Sequence, residues 1–178
     1  DNPLIVHIAD IQALDEIVEF IPEKAKSIVE KFWPGPLTLI FEKSGVVPLG
    51  TTGEFYAFDD DTYRKILETV KDETRGRVPV YGGANHITTR GVIRLVKICE
   101  EVGVDAVSVL TPMFVSQTQE ELYDYFAEIA ASTKLPIILY NNAPKTNVTI
   151  APGTVARLAE IDNIIAVKDS TGDMTNTA

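Results

Sequence analysis

The chain has 178 residues, of which 45% are hydrophobic, so it is long enough to bury a substantial core. Its 26 acidic and 16 basic side chains give a net charge of −10, which argues against a face that binds nucleic-acid phosphates. A single cysteine excludes an internal disulfide, and no apolar run is long enough to span a membrane. We therefore expect a reduced, cytoplasmic setting, with neither nucleic acid nor a membrane as partner.

The first 44 residues predict a small βααβ segment, which we separate as one domain (1–44) from the remainder (45–178). Its two strands and the two helices between them are indicated by apolar spacing at 4–8, 11–20, 23–33 and 37–41. The next apolar run, 46–49, begins only five residues after Phe41. A parallel crossover needs a dozen or more residues, so these last two strands are expected to be antiparallel neighbours or to lie in different sheets.

Beyond residue 45, strand-like apolar runs alternate with helical patterns at a regular interval. The runs end 32, 28, 30 and 28 residues apart, at Gly50, Gly82, Leu110, Tyr140 and Lys168. The helical patterns between them cover 60–75, 88–102, 118–133 and 152–160. This alternation predicts parallel strands in an α/β fold, either a partial (β/α)8-type, TIM-barrel-like unit or an open doubly wound sheet. A complete eight-unit barrel takes roughly 250 residues, so a barrel here is partial.

Lys168 and Tyr140 close two successive apolar runs, and the carboxyl ends of parallel strands share one rim. A lysine amine attacks a ketone only when neutral, and apolar surroundings favour its neutral form. A neighbouring tyrosine can relay protons to and from the adduct. The alternative is an ordinary surface lysine, but the four apolar residues before Lys168 favour imine chemistry.

The segment Gly50-Thr51-Thr52-Gly53 follows the first of these runs. Two glycines allow a tight turn with successive exposed N–H groups, and two hydroxyls add donors, so the loop is suited to hold a carboxylate. A turn that caps the next helix is the alternative. Asp59-Asp60-Asp61 directly precedes that helix and is expected to cap it. His7 and His86 have no partner at ligand spacing, so we expect no metal site.

Residues 50–178 resemble the N-acetylneuraminate lyase and dihydrodipicolinate synthase family of class I, pyruvate-type aldolases. The matching stretches are GTTGEF at 50–55, VPVYGG at 78–83, DAVSVLTP at 105–112, PIILYN at 136–141 and AVKDSTGD at 166–173. The resemblance implies that Lys168 forms a Schiff base with a 2-oxo acid such as pyruvate and that Tyr140 relays protons. It also implies that Thr51 and Thr52 bind the carboxylate or steer the tyrosine. No cofactor is expected.

Two positions depart from the synthase branch of that family. Phe114 stands where the second of two tyrosines usually completes the proton relay across a subunit contact, and phenylalanine cannot carry a proton. Lys145 stands where an arginine commonly serves the second substrate. The resemblance therefore favours an aldolase or lyase of this family over a true synthase.

Residues 1–47 resemble a fragment of the threonylcarbamoyl-AMP synthase family, through NPLIVHI at 2–8 and FWPGPLTL at 32–39. The lysine and arginine that precede the second stretch in that family are missing here. Three hypotheses follow: a Schiff-base lyase, a non-catalytic chimera of the two families, and an ATP-dependent carbamoyl-adenylate enzyme. An incomplete barrel exposes strand edges, so we expect a homo-oligomer.

Overall fold

The structure, a computed structural model, describes residues 6–7 and 45–172. Its elements alternate between strands and helices, as the sequence predicts. The strands are β1 (Val6–His7), β2 (Tyr81–Gly83), β3 (Ala106–Leu110), β4 (Ile137–Asn141) and β5 (Ile164–Asp169). The helices are α1 (Asp60–Thr74), α2 (Thr89–Val102), α3 (Gln119–Ala131), α4 (Ala143–Thr146) and α5 (Pro152–Leu158). No helix within this part of the chain is long and apolar enough to cross a membrane.

The five strands form one sheet in the order β1-β5-β4-β3-β2. Strands β2 to β5 are parallel, which confirms the prediction from the repeat. Strand β1 pairs antiparallel with β5, so that Val6 lies opposite Lys168 and His7 opposite Val167. The predicted strand 4–8 therefore contains β1, whereas the other predicted elements of the N-terminal segment lie outside the described residues.

The predicted strand 46–49 is wrong in its extent. Only Val46 forms a bridge, parallel to Val80, with a 3.0 Å bond from its N–H to the Pro79 carbonyl. The Pro48 carbonyl still accepts from the Gly83 N–H at 3.1 Å. Pro48 has no N–H with which to continue a ladder, and Leu49 has a φ of 61°, in the left-handed region. The chain therefore leaves the sheet at Leu49.

The helices begin where capping side chains are available. Asp59 accepts a 2.9 Å bond from the Thr62 N–H at the start of α1, which confirms the predicted acidic cap. Thr88 caps α2 in the same way, and Thr118 forms a reciprocal capping box with Glu121 at the start of α3. These caps place the helix starts within one residue of the prediction for α1, α2 and α3.

Two buried tyrosines tie the helices to strand ends. Tyr63 on α1 donates to the Gly83 carbonyl at 3.2 Å, and Tyr125 on α3 donates to the Leu110 carbonyl at 3.0 Å. Burial raises the pKa of both phenols, so each remains a proton donor. Strand β3 between them is buried along its whole length. The carboxyl ends of β2 and β3 are thereby fixed at one rim of the sheet.

Candidate active site

Tyr140 and Lys168 lie side by side at the carboxyl ends of β4 and β5. They are paired in register, and the Lys168 Nζ lies 3.8 Å from the centroid of the Tyr140 ring. A cation over an aromatic face is an attractive arrangement. Lys168 is half-buried and Tyr140 is 4% exposed. The prediction that these two residues share a rim is confirmed.

Thr51 reaches the same point from a separate loop. Its Oγ1 lies 3.0 Å from the Tyr140 hydroxyl, although the two residues are 89 positions apart. The loop is held because the chain at Leu49 crosses directly over Gly83, where an added Cβ would lie 2.3 Å from the Leu49 oxygen. Asn85 fixes it further by donating to the Leu49 carbonyl at 3.1 Å and accepting from the Leu110 N–H at 2.8 Å.

The loop from Gly50 to Gly53 differs from the expected glycine-driven turn. Its left-handed residues are Leu49 and Glu54, which flank the loop, and Gly50 is extended with a φ of −74°. Residues 51–53 form a turn of 3-10 helix, in which the Gly53 N–H donates to the Gly50 carbonyl at 3.0 Å. The alternative of a helix cap is also wrong, because the cap of α1 is Asp59. Thr52 and Gly53 are exposed.

The surroundings of Tyr140 shift its acidity. Burial raises the pKa of the phenol, but hydrogen bonds with Thr51, Ser170 and Asn142, together with the positive charge of Lys168, outweigh that effect. The pKa of Tyr140 therefore lies below its ordinary value. The Asn142 Nδ2 donates to the phenol oxygen at 2.8 Å.

Buried polar groups lie next to Tyr140 and Lys168 in the sequence. Asn141 donates to the Asp169 Oδ2 at 3.1 Å and accepts from the Ile150 N–H at 3.1 Å. Asp169 is 4% exposed and accepts a 2.7 Å bond from the Thr171 N–H. These contacts join the ends of β4 and β5 to the loop before α5. Sequence reasoning missed Asn142, Asp169 and Asn85 as site residues; their only signal was a polar residue within three positions after the end of a strand-like run.

The two departures from the synthase pattern both lie near this rim. Phe114 is 97% exposed and has a φ of 81°, which is unusual for a residue with a side chain. Val115 beside it is also exposed. Lys145 is exposed in the last turn of α4. Within residues 45–172 no three His, Cys, Asp or Glu side chains form a group that could hold a metal ion.

The chain matches the model of the Dihydrodipicolinate synthetase family over residues 41–178, and it therefore belongs to this family. This confirms the resemblance predicted from the motifs at 50–178. Residues 1–55 match a second model, Sua5_yciO_yrdC, described as Telomere recombination. That match covers the segment that resembles threonylcarbamoyl-AMP synthase.

Among relatives, the chain is 42% identical over 130 residues to the 4-hydroxy-tetrahydrodipicolinate synthases of Thermodesulfovibrio yellowstonii and Mesorhizobium japonicum. The alignment covers 73% of this chain and 45% of the first relative, and 72% and 44% for the second. The chain thus spans less than half the length of these curated relatives.

Solved structures of the same family resemble the described fold. The chloride-inhibited dihydrodipicolinate synthase of Acinetobacter baumannii, complexed with pyruvate, is 35% identical with a TM-score of 0.73 over 75% of this chain and 46% of that one. The Aquifex aeolicus enzyme is 32% identical with a TM-score of 0.72 over 75% and 46%. The α/β fold is therefore a partial (β/α)8-type barrel, as predicted, and the open doubly wound alternative is discarded.

Proposed function

We propose that this chain carries the Schiff-base site of a class I lyase or aldolase that acts on pyruvate or another 2-oxo acid. The observation that carries the proposal is the arrangement of Lys168, Tyr140 and Thr51, with the amine 3.8 Å from the phenol ring and the phenol hydrogen-bonded to the threonine. Membership of the Dihydrodipicolinate synthetase family supports it. These three residues are proposed as the catalytic lysine, the proton relay and its partner.

The proposed reaction begins with attack of the neutral Lys168 amine on the ketone carbon. A C–N bond forms, and the carbonyl oxygen takes a proton from Tyr140 to give a carbinolamine. The carbinolamine nitrogen then gives one of its two protons back to Tyr140, which passes it to the hydroxyl, so that the hydroxyl leaves as water. The C=N bond forms as a protonated imine, whose remaining proton returns to Tyr140. Amine and ketone thus yield imine and water. The lowered pKa of Tyr140 suits it to both giving and receiving a proton.

The substrate carboxylate is proposed to bind at Gly50-Thr51-Thr52-Gly53. An added Cβ at Gly50 or Gly53 would have no atom within 4 Å, so the loop surface is open to a ligand. The Gly53 and Glu54 N–H groups donate within the turn, at 3.0 and 3.4 Å, so the proposed anion donors are the Thr51 and Thr52 hydroxyls and N–H groups. A carboxylate there also supplies a counter-charge near Lys168.

We further infer that the chain joins two families, with a boundary between residues 44 and 45. The two family models support this, since they overlap only at 41–55. A homo-oligomer remains our expectation, supported by the exposed apolar pair Phe114 and Val115. The competing hypothesis is a non-catalytic chimera, because the barrel is partial.

Reductive trapping tests the proposal. Incubation with pyruvate and borohydride, followed by peptide mass spectrometry, should place one pyruvate-derived group on Lys168. The change Lys168→Ala should abolish the label. The matched control is Lys65→Ala, which removes an exposed lysine of α1 and should leave the label in place. Labelling spread over several surface lysines would contradict the proposal, and a folded protein without any label would favour the non-catalytic chimera.

A further inference from the structure

We propose that Asn142 is a positioning residue that sets the direction of the hydrogen bonds through Tyr140, so that the phenol proton is delivered toward Thr51. This inference rests on the proposed Schiff-base function. Its basis is the 2.8 Å bond from the Asn142 Nδ2 to the phenol oxygen. Neither the repeat nor the family motifs single out this residue.

Asn142 is held rigidly enough for such a role. Its side chain is 6% exposed, so water does not compete freely for the amide. Its carbonyl accepts from the N–H groups of Lys145 at 2.9 Å and Thr146 at 3.0 Å, at the start of α4. The Thr146 hydroxyl adds a 3.2 Å bond to the same carbonyl. The backbone of Asn142 is thereby fixed from three sides.

The chemistry of the amide nitrogen determines the direction. An amide NH₂ group donates and does not accept, so the Tyr140 oxygen must accept from Asn142. The single phenol hydrogen is then free to point at the Thr51 Oγ1, 3.0 Å away, and the Thr51 hydrogen can point onward into the site. A carboxylate at position 142 would instead accept the phenol hydrogen and draw it away from Thr51.

The same bond favours the ionised phenol. A donor aimed at the oxygen stabilises the phenolate, in keeping with the lowered pKa of Tyr140. The charged group that faces the phenol is Lys168 on β5, and the neutral groups are Thr51, Ser170 and Asn142. Phe114, which stands where the synthase branch has the second tyrosine of the relay, has no hydroxyl that could bond to the phenol. Asn142 thus provides a donor to the phenol oxygen from within the same chain.

The test compares Asn142→Leu, which is similar in size but has no donor, with Asn142→Asp, which keeps the shape but accepts. Phenolate absorbance is titrated in the ligand-free protein, and Tyr140→Phe identifies the Tyr140 component among the six tyrosines. We expect this component to move to higher pH by about one unit in Asn142→Leu, a tenfold change in the ionisation constant, and further in Asn142→Asp. Asn142→Gln, which keeps a donor, should move the Tyr140 titration less far to higher pH than Asn142→Leu does.

The rate of pyruvate trapping on Lys168 provides the second readout. It should fall about tenfold in Asn142→Leu and more in Asn142→Asp, with Lys168 still the labelled residue. An unchanged titration, or trapping by Asn142→Asp as fast as by the unaltered protein, would overturn the inference. If Asn142→Leu fails to fold, Asn142→Asp alone decides. The titration needs no substrate, so its outcome tests this inference alone. Failure of the Schiff-base proposal shows separately, as the absence of any label on the unaltered protein.

Discussion

Thr51 and Thr52 are adjacent in the sequence but make different contacts. Thr51 is half-buried and hydrogen-bonded to Tyr140, whereas Thr52 is exposed. The sequence predicted that both line the site, but it contained nothing to distinguish them. Which hydroxyl meets the tyrosine depends on the path of the chain over Gly83, a contact between segments about thirty residues apart. The buried amides of Asn85 and Asn142 escaped prediction for the same reason, since their partners are set by tertiary packing.

The matched changes Thr51→Val and Thr52→Val separate the two roles. Valine replaces the Thr51 hydroxyl with a methyl of similar size, which removes a bond that lowers the pKa of Tyr140. The phenol pKa should therefore rise, by up to about one unit. Because the relay needs a protonated phenol, the alkaline fall in the trapping rate should move to higher pH in Thr51→Val. Thr52→Val should leave that limb in place and raise the pyruvate concentration needed for half-maximal trapping. The same alkaline limb in both variants would contradict this assignment.

At the scale of elements, the two neighbouring glycines of β2 have separate tasks. A Cβ at Gly82 would lie 2.6 Å from the Cys99 Sγ of α2, so this glycine allows close approach of a helix. A Cβ at Gly83 would lie 2.3 Å from the Leu49 oxygen, so this glycine allows the site loop to cross the strand. Successive residues of a strand point to opposite faces, which explains the division.

These glycines permit a paired experiment. Both Gly82→Ala and Gly83→Ala should lower the free energy of unfolding by about 1–3 kcal/mol through overpacking, measured by urea denaturation. Only Gly83→Ala should also slow trapping at Lys168, because the carbonyl it meets belongs to the loop that carries Thr51. The added change Cys99→Ala should relieve Gly82→Ala and not Gly83→Ala. Equal loss of trapping in both single variants would show that the loop is not specifically displaced.

The elements themselves were largely predictable between residues 60 and 169. Apolar period, caps and strand length agree there at each step, so local patterns place four helices and the parallel strands within a few residues. The helix α4 was not predicted because four residues are too few for a periodic signal. The strand at 46–49 was predicted too long because the apolar run was given more weight than Pro48. The left-handed conformation of Leu49 has no signal in the sequence.

At the scale of the whole molecule, the match of residues 1–55 to a second family raises the question of nucleotide binding. The sequence lacks the particular lysine and arginine that the resemblance to the threonylcarbamoyl-AMP synthase family calls for, and we expect the lysines at 24, 26 and 31 not to replace them. Calorimetry with ATP should therefore give no heat of binding, while a complete member of that family gives a signal under the same conditions. A micromolar dissociation constant for this chain would overturn the prediction.

The pairing of β1 with β5 also imposes an order in time. Val6 emerges from the ribosome about 160 residues before its partner Lys168. At translation rates of about 5–20 residues per second, that delay is roughly 10–30 seconds. Throughout this interval β1 lacks the strand with which it pairs in the sheet, and β5 gains this neighbour only when both segments have been made. The strand that carries Lys168 is therefore joined by a segment that was made much earlier, and chaperones that hold unpaired segments of a nascent chain act before this pairing forms.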